Sequence, residues 1–442
     1  MQDLPLVRVI ARAFLAGEPS EPEVVARLGW ALGKKWRWIG PLVRRYIASI
    51  TGQTRPRVRE VVHFLRTDAG FQRTLTRYSD EISIGNWLTG PQTMQPAPAA
   101  KNWEVPAIES VGELAEWLGV TTLELLWFAD LKGLAYRSNR AKLSHYHYRI
   151  LDKRYGNIRL IEMPKRRLKD MQRQILTQIL GKIPPHPAVH GFVKGRSIKS
   201  FVAPHVGRRV ILRMDLQDFF PSFPAARIQN LFRTMGYPEP VADLLGGMCT
   251  NAVPRDVWKS PSLGVDPVRW REARVLYSKP HLPQGSPTSP ALANICSYRL
   301  DCRLAGLTKS AGGQYTRYAD DMAFSGDHDF ERRMELFSTH VAAILMEEGF
   351  VVNFHKTRIM RQGVRQYLAG IVANQRMNVI RADFDRLKAA LTNCVRSGPA
   401  SQNRDVHPRF REHLEGRVVF VEMVNANKGK RLRKIFQQIR WE

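Results

Sequence analysis

The sequence predicts an α+β fold preceded by a helical amino-terminal extension, and three observations carry that expectation. Apolar residues recur at helical spacing toward both ends of the chain. From about residue 146, short β-like runs alternate with helices. Of the 442 residues, 44% are hydrophobic, enough for a sizeable core, which excludes a disordered or collagen-like chain. A chain this long holds roughly two or three domains.

The charge balance narrows the class of partner. There are 68 Lys and Arg against 40 Asp and Glu, a formal net charge of +28, which must face solvent or a polyanion. Nucleic acid is the expected polyanion, with an anionic membrane as the rival. No apolar run approaches the roughly 18–20 residues needed to span a bilayer. Asp3, Arg8 and Arg12 interrupt the amino terminus, so it does not read as a secretory signal. Cys249, Cys296, Cys302 and Cys394 form no C-x-x-C pair and no zinc-knuckle spacing. Reduced thiols in a cytoplasmic protein without a membrane partner are the expectation.

Residues 1–88 read as a basic helical unit. Ser20 and Glu23 have capping-box spacing, with Pro22 inside the first turn. From Arg27 to Arg59 there are nine cations, Lys34, Lys35, Arg37, Arg44 and Arg45 among them, and no acid. Trp36, Trp38 and Tyr46 are interleaved with them, a mixture suited to phosphates and unpaired bases. Residues 89–106 carry four prolines and have linker composition. Beyond them Leu114, Trp117, Leu118, Leu123, Leu125 and Leu126 have helical spacing up to a stop near Gly133.

A strand-like run turns at Tyr155-Gly156-Asn157, and an amphipathic helix follows with Leu168, Met171, Ile175, Ile179 and Leu180 on one side. Val210-Ile211-Leu212 begins a buried strand that ends at Asp215. Residues 314–326 read as a hairpin with Asp320-Asp321 at its turn. The closing helices end in a basic segment in which Leu432, Ile435, Phe436 and Ile439 face inward and Lys428, Lys430, Arg431, Arg433, Lys434 and Arg440 outward. Singly, an Asp at a strand end is a cap and Asp-Asp at a turn is turn chemistry. On adjacent strands three carboxylates would repel one another unless a divalent cation offset them. Two hard cations about 3.5–4 Å apart can activate a hydroxyl and stabilise a leaving pyrophosphate. His145 and His147 alternate like strand residues but have no third metal ligand nearby.

These residues carry a resemblance. Tyr318-Ala319-Asp320-Asp321, after Thr316-Arg317, resembles the catalytic hairpin of reverse transcriptases, and the run from Arg213 to Phe220 resembles their first acidic motif. Leu282-Pro283-Gln284-Gly285-Ser286-Pro287 is similar to their nucleotide-pocket motif in the form of bacterial retron enzymes. The segments Tyr148 through Gln172 and His190 through Ile198 resemble retron-type fingers motifs. The resemblance covers roughly residues 107–442. It implies a right-hand polymerase fold: helices and fingers at 107–210, palm at 211–380 with a fingers insertion around 225–281, and a helical thumb at 381–442.

The resemblance also implies roles. Asp215, Asp320 and Asp321 would hold two Mg2+ ions, with the backbone carbonyl of Leu216 completing one site. Phe220 would exclude a ribose 2′-hydroxyl, and Gln284 would lie by the incoming sugar and template base. Lys153 and Arg159 would clamp the triphosphate, and Lys356 would protonate the leaving pyrophosphate. Tyr367-Leu368-Ala369-Gly370 resembles the primer-gripping hairpin. The implied substrates are deoxynucleotides and a structured non-coding RNA serving as template and primer, with an RNA–DNA duplex as product. A branched RNA–DNA molecule, anti-phage defence and an effector protein are associated with that family. Two elements depart from it: Arg255 stands where Asn251-Ala252 is usually followed by His, and Leu368-Ala369-Gly370 replaces Val-Thr-Gly. The alternatives are an RNA-binding scaffold restraining an effector, and a group II intron-type maturase. The maturase usually carries a two-glycine form of the Pro-Gln-Gly motif and a maturation domain, neither of which is present.

Overall fold

A computed structural model describes residues 4–17, 19–50, 56–87, 92–137, 144–152, 158–259 and 266–441. The chain forms two compact units, Met1–Pro184 with Phe220–Cys296, and Pro185–Phe219 with Ser297–Glu442.

The first unit opens with five helices, Leu4–Leu15, Glu21–Ala31, Ile39–Ile50, Val58–Thr67 and Ala69–Arg77. They close around Ile10, Phe14, Leu28, Val43, Tyr46 and Leu65. Ser20 does stand at a helix start, but its hydroxyl makes no cap bond; Glu23 turns instead to Arg27, 3.2 Å away. Asp68 caps the fifth helix by accepting from the Phe71 amide at 2.6 Å. The proline-rich stretch runs along the helix Ala225–Thr234, where the amides of Gln95 and Ala97 donate to the carbonyls of Gly236 and Thr234. Gly236, at φ 102°, permits this approach, since a Cβ there would lie 2.5 Å from the Pro96 nitrogen.

The apolar stretch that reads as one helix is two, Val111–Leu118 and Thr122–Ala129. Gly119 ends the first in the left-handed region at φ 66°, and a Thr121–Glu124 capping box starts the second. The break re-phases the second helix, which buries Leu125 and leaves Leu123 79% and Leu126 48% exposed. Strands β1 (Tyr146–Asp152) and β2 (Ile158–Pro164) then form an antiparallel hairpin. The turn expected at Tyr155-Gly156-Asn157 lies outside the described residues. Ile158 and Leu160 pack on Trp258, Trp270 and Tyr277.

The second unit is built on an antiparallel sheet. Its strands are β3 (Val210–Gln217), β4 (Gln314–Tyr318), β5 (Asp321–Gly326), β6 (Val351–Val352) and β7 (Arg358–Arg361). The order is β4-β5-β3-β6, with β7 also pairing β3. Strand β3 reads as a buried apolar run because it is paired on both edges and covered on both faces. His205 is buried between β4 and β5, with ring nitrogens 2.7 Å from the Thr316 hydroxyl and 2.6 Å from that of Ser325. A two-stranded hairpin, β8 (Tyr367–Leu368) and β9 (Ile371–Val372), leads to helices Arg381–Ser397, Phe410–Val424 and Ala426–Gln437. Their core includes Leu391, Val418, Leu432 and Phe436.

Candidate active site

The second unit brings the three acids to one end of the sheet. In the β3–β5 register Asp215 stands directly opposite Asp321, and Tyr318 pairs with Asp321 across β4–β5. Ala319 and Asp320 are therefore the two-residue loop of the hairpin. Ala319 takes φ 56°, as such tight turns demand. The loop is tied to β3, since the Leu216 amide donates to the Asp320 carbonyl at 3.1 Å. Asp215 is only 3% exposed.

Cations meet two of these carboxylates. Lys356 Nζ lies 2.9 and 3.1 Å from the two Asp215 oxygens. Arg213, two residues before Asp215 on β3, donates to Asp321 Oδ1 at 2.7 and 3.0 Å. Asp320 has neither partner. Burial, then the charges of Asp215 and Asp321, push its carboxyl up to about 6. Burial likewise raises Asp321, although Arg213 acts in the opposite direction.

The chemistry of this donor set fits Mg2+. It is all oxygen, three carboxylates and the Leu216 carbonyl, and it has an excess of negative charge felt at Asp320. Among the described residues no three acid, histidine or cysteine side chains close around an ion as they stand. Arg213 and Lys356 hold two of the carboxylates in ion pairs instead.

The hairpin is braced from below. Arg317 and Asp301 form a fully buried, bidentate ion pair at 2.8 and 2.7 Å. Tyr315 donates to the same Asp301 carboxylate at 2.8 Å, and Arg317 Nη1 donates to the Ala319 carbonyl at 3.1 Å. Along β4, the amides of His190 and Arg317 donate to the carbonyls of Arg317 and Ala188, each at 2.8 Å. Gly191 touches the loop itself, for a Cβ there would meet the Ala319 nitrogen at 2.6 Å. Sequence reasoning did not find Arg213, Asp301 or Asn353, whose amide donates to the Asp215 carbonyl at 2.8 Å. Only Arg213 left a signal, as it shares a strand face with Asp215 at period two.

The first unit holds the described residues expected to meet the nucleotide, Phe220, Arg159 and Gln284. Phe220 is partly exposed whereas its neighbour Phe219 is buried. Arg159 is exposed on β2, and Lys153 lies outside the described residues. The Gln284 carbonyl accepts from the Glu162 amide of β2 at 2.9 Å. Gly285, at φ 134°, lets that loop lie on β2, because a Cβ would sit 2.7 Å from the Glu162 carbonyl oxygen. Beneath it Glu162 is fully buried, accepting from His281 Nε2 at 2.9 Å and from Asn251 Nδ2 at 2.7 Å. Asn251 also reaches the Tyr148 hydroxyl at 3.1 Å. Gln172 ties in Ser286, which donates to it at 2.9 Å.

The basic face needs several corrections. Trp36, Trp38 and Tyr46 pack in the helical core rather than outward. Arg44 pairs with Glu21 at 2.7 Å, and Arg45 is bidentate on Asp68 at 2.7 Å. These acids come from other helices, so an acid-free run still acquires partners. Lys34, Lys35 and Arg37 remain exposed. In the last helix Lys430 and Arg431 are exposed and Lys428 is half-buried. Arg433 is held by Glu415 at 3.1 Å and Glu422 at 2.6 Å, contrary to its expected outward role. Tyr367 is half-buried at the start of β8. His145 is buried, its Nε2 2.9 Å from the Trp127 carbonyl, which leaves no metal role for it.

An antiparallel sheet presenting a buried Asp opposite an Asp-Asp turn, within a mixed α+β chain, is the palm of a polymerase fold. Residues 150–378, just over half of the chain, match the family described as reverse transcriptase (RNA-dependent DNA polymerase). The retron Mx65 reverse transcriptase of Myxococcus xanthus is 42% identical over 293 residues, 66% of this chain and 64% of that protein. The retron Mx162 enzyme of the same organism is 34% identical over 73% of this chain and 65% of its own length. The retron Ec86 reverse transcriptase of Escherichia coli is 30% identical over 62% of this chain and 74% of its own. The chain belongs to the reverse transcriptase family, in its bacterial retron type. It spans a little under two thirds of the length of the two Myxococcus relatives. No described helix is long and apolar enough to cross a membrane.

Proposed function

We propose that the chain is an RNA-directed DNA polymerase that copies a structured non-coding RNA, retron-like, as part of an anti-phage defence system. The observation that carries this reading is the register that sets Asp215 opposite Asp321 with Asp320 in the intervening turn. Fingers at 107–210, a palm at 211–380 and a thumb at 381–442 are the divisions that go with it. An effector protein would be the further partner.

Asp215, Asp320, Asp321 and the Leu216 carbonyl would hold Mg2+. When bound, the ions supply activation of the primer hydroxyl and charge neutralisation at the leaving pyrophosphate. The remaining work falls to the chain's own side chains. Lys356, whose Nζ lies 2.9 Å from Asp215, would give a proton to the pyrophosphate. Arg159 and Lys153 would offset triphosphate charge, as fixed cations do most effectively where water is excluded. The ring of Phe220 would reject a 2′-hydroxyl by bulk, since that single oxygen separates the two sugars. Gln284, fixed through its carbonyl to β2, would position the sugar and template base.

The test is synthesis by the purified protein with its co-purified RNA, Mg2+ and deoxynucleotides. RNase-resistant, DNase-sensitive product is expected from the wild type, and background from Asp320→Ala. Equal product from both would sink the assignment. In cells, full defence by an Asp320→Ala, Asp321→Ala variant would instead favour a scaffold that restrains an effector.

A further inference from the structure

We propose that the amino-terminal helices carry a stacking site for unpaired bases of single-stranded RNA, built on Trp30 and Trp87. The proposal rests on the reading of this chain as an RNA-copying polymerase, and it adds a binding site away from the reaction centre. Trp36 and Trp38 belong to the helical core, but Trp30 and Trp87 are 49% and 56% exposed. Large indoles left in water are unusual, and neither ring meets another aromatic ring among the described residues.

A built junction brings together the backbone segments that carry the two tryptophans. Trp30 closes the helix Glu21–Ala31, and the segment before Trp87 returns to that helix end. The amides of Gly85 and Asn86 both donate to the Ala31 carbonyl, at 2.9 and 3.1 Å. Asn86 Nδ2 donates to the Trp30 carbonyl at 2.9 Å. Gly33, at φ 72°, and Gly85 make the contact possible, for a Cβ on Gly85 would lie 2.7 Å from both Gly33 Cα and N. Sequence distance alone would not bring these segments together; the bonds set Asn86, the neighbour of Trp87, against Trp30 and Ala31.

Charge identifies the occupant. Lys34, Lys35 and Arg37 follow directly from the helix end and are exposed. Lys35 and Arg37 make no ion pair among the described residues, and Lys34 reaches Glu81 only at 4.0 Å. An apolar protein surface would gain nothing from these cations, whereas a phosphate backbone would. An indole can reach a base face only where the base is unpaired, because a duplex hides its faces within the stack. Exposed indoles on a segment followed by exposed cations therefore select a single strand over an A-form helix.

Binding of a short unstructured RNA and of an RNA duplex to the full-length protein, titrated across salt concentrations, tests this. Trp30→Ala with Trp87→Ala is expected to weaken single-strand binding about tenfold or more, as loss of base stacking does. Duplex affinity and the salt dependence should not change. Trp30→Phe with Trp87→Phe should restore most of the single-strand affinity, which separates stacking from damage to the fold. Lys35→Gln with Arg37→Gln should instead flatten the salt dependence. Equal losses on both RNAs, no loss on either, or a changed oligomeric state with RNA binding intact would each overturn the proposal. DNA synthesis on a pre-annealed primer–template should persist in the tryptophan variants. A wild type that binds but makes no DNA would overturn the polymerase reading alone.

Discussion

Asp320 concentrates the electrostatic tension of the site in one side chain. Its carboxyl, pushed up to about 6 by burial and by Asp215 and Asp321, holds a proton that the unfolded chain has already released. Between the ordinary carboxylate range and about 6, the folded state binds more protons, so stability falls as pH rises through that window. Replacing the charge should relieve the tension. In the presence of a chelator, Asp320→Asn is expected to be more stable than wild type at pH 7.5, by about 1–3 kcal/mol. The difference should vanish near pH 4, which thermal melts at the two pH values would show. Phe220 offers a test of substrate choice at the same scale. Phe220→Ala should raise ribonucleotide relative to deoxynucleotide incorporation in single-nucleotide extension, and an unchanged ratio would remove this ring as the gate.

At the scale of elements, buried side-chain pairs hold the hairpin that carries two of the acids and, in the other unit, the loop that carries Gln284. The β4–β5 hairpin rests on Arg317 and Asp301, both at 0% side-chain exposure. Breaking one partner strands the other, so Asp301→Asn should cost about 3–5 kcal/mol in denaturant unfolding. Arg317→Met with Asp301→Leu should recover much of that, because both desolvated charges are then gone. In the first unit the loop carrying Gln284 depends on His281, whose ring nitrogens both face acceptors, Glu162 at 2.9 Å and the Lys279 carbonyl at 2.7 Å. Burial opposes a charge there, but Glu162 outweighs it, and the His281 pKa is raised. That contribution is present below the usual histidine range and lost as pH rises through the raised value. None of these pairs was legible in the sequence. Asp301 and Arg317 lie 16 residues apart and Glu162 and His281 lie 119 apart, with no motif linking either pair. The hairpins themselves were legible, because alternation and turn residues are local signals. The break at Gly119 was not, since the apolar residues beyond it still kept helical spacing.

For the whole molecule, the +28 charge announced a polyanion, but formal charge does not distinguish a free cation from a paired one. Arg44, Arg45 and Arg433 looked as available as Lys34 or Lys430 until acids from other helices were folded against them. The aromatic signal failed in the same way, because spacing among cations does not say which indoles turn inward. The closing helix gives the sharpest test of this distinction. Lys430, Arg431, Lys434 and Arg440 are exposed, whereas Arg433 lies between Glu415 and Glu422. A cation that touches phosphate contributes roughly 0.7–0.9 to the slope of log affinity against log salt, through the counterions it releases. Replacing Lys430, Arg431 and Lys434 by Gln should therefore reduce the slope for an RNA–DNA duplex by up to about two units, with little change in melting temperature. Arg433→Gln should do the reverse, lowering the melting temperature while leaving the slope in place. Its guanidinium closes the contact between helices Phe410–Val424 and Ala426–Gln437, with all three nitrogens donating to Glu415 or Glu422. A slope that fell equally in both variants would mean that Arg433 leaves its glutamates for the duplex, and that the ion pairs are only its resting state.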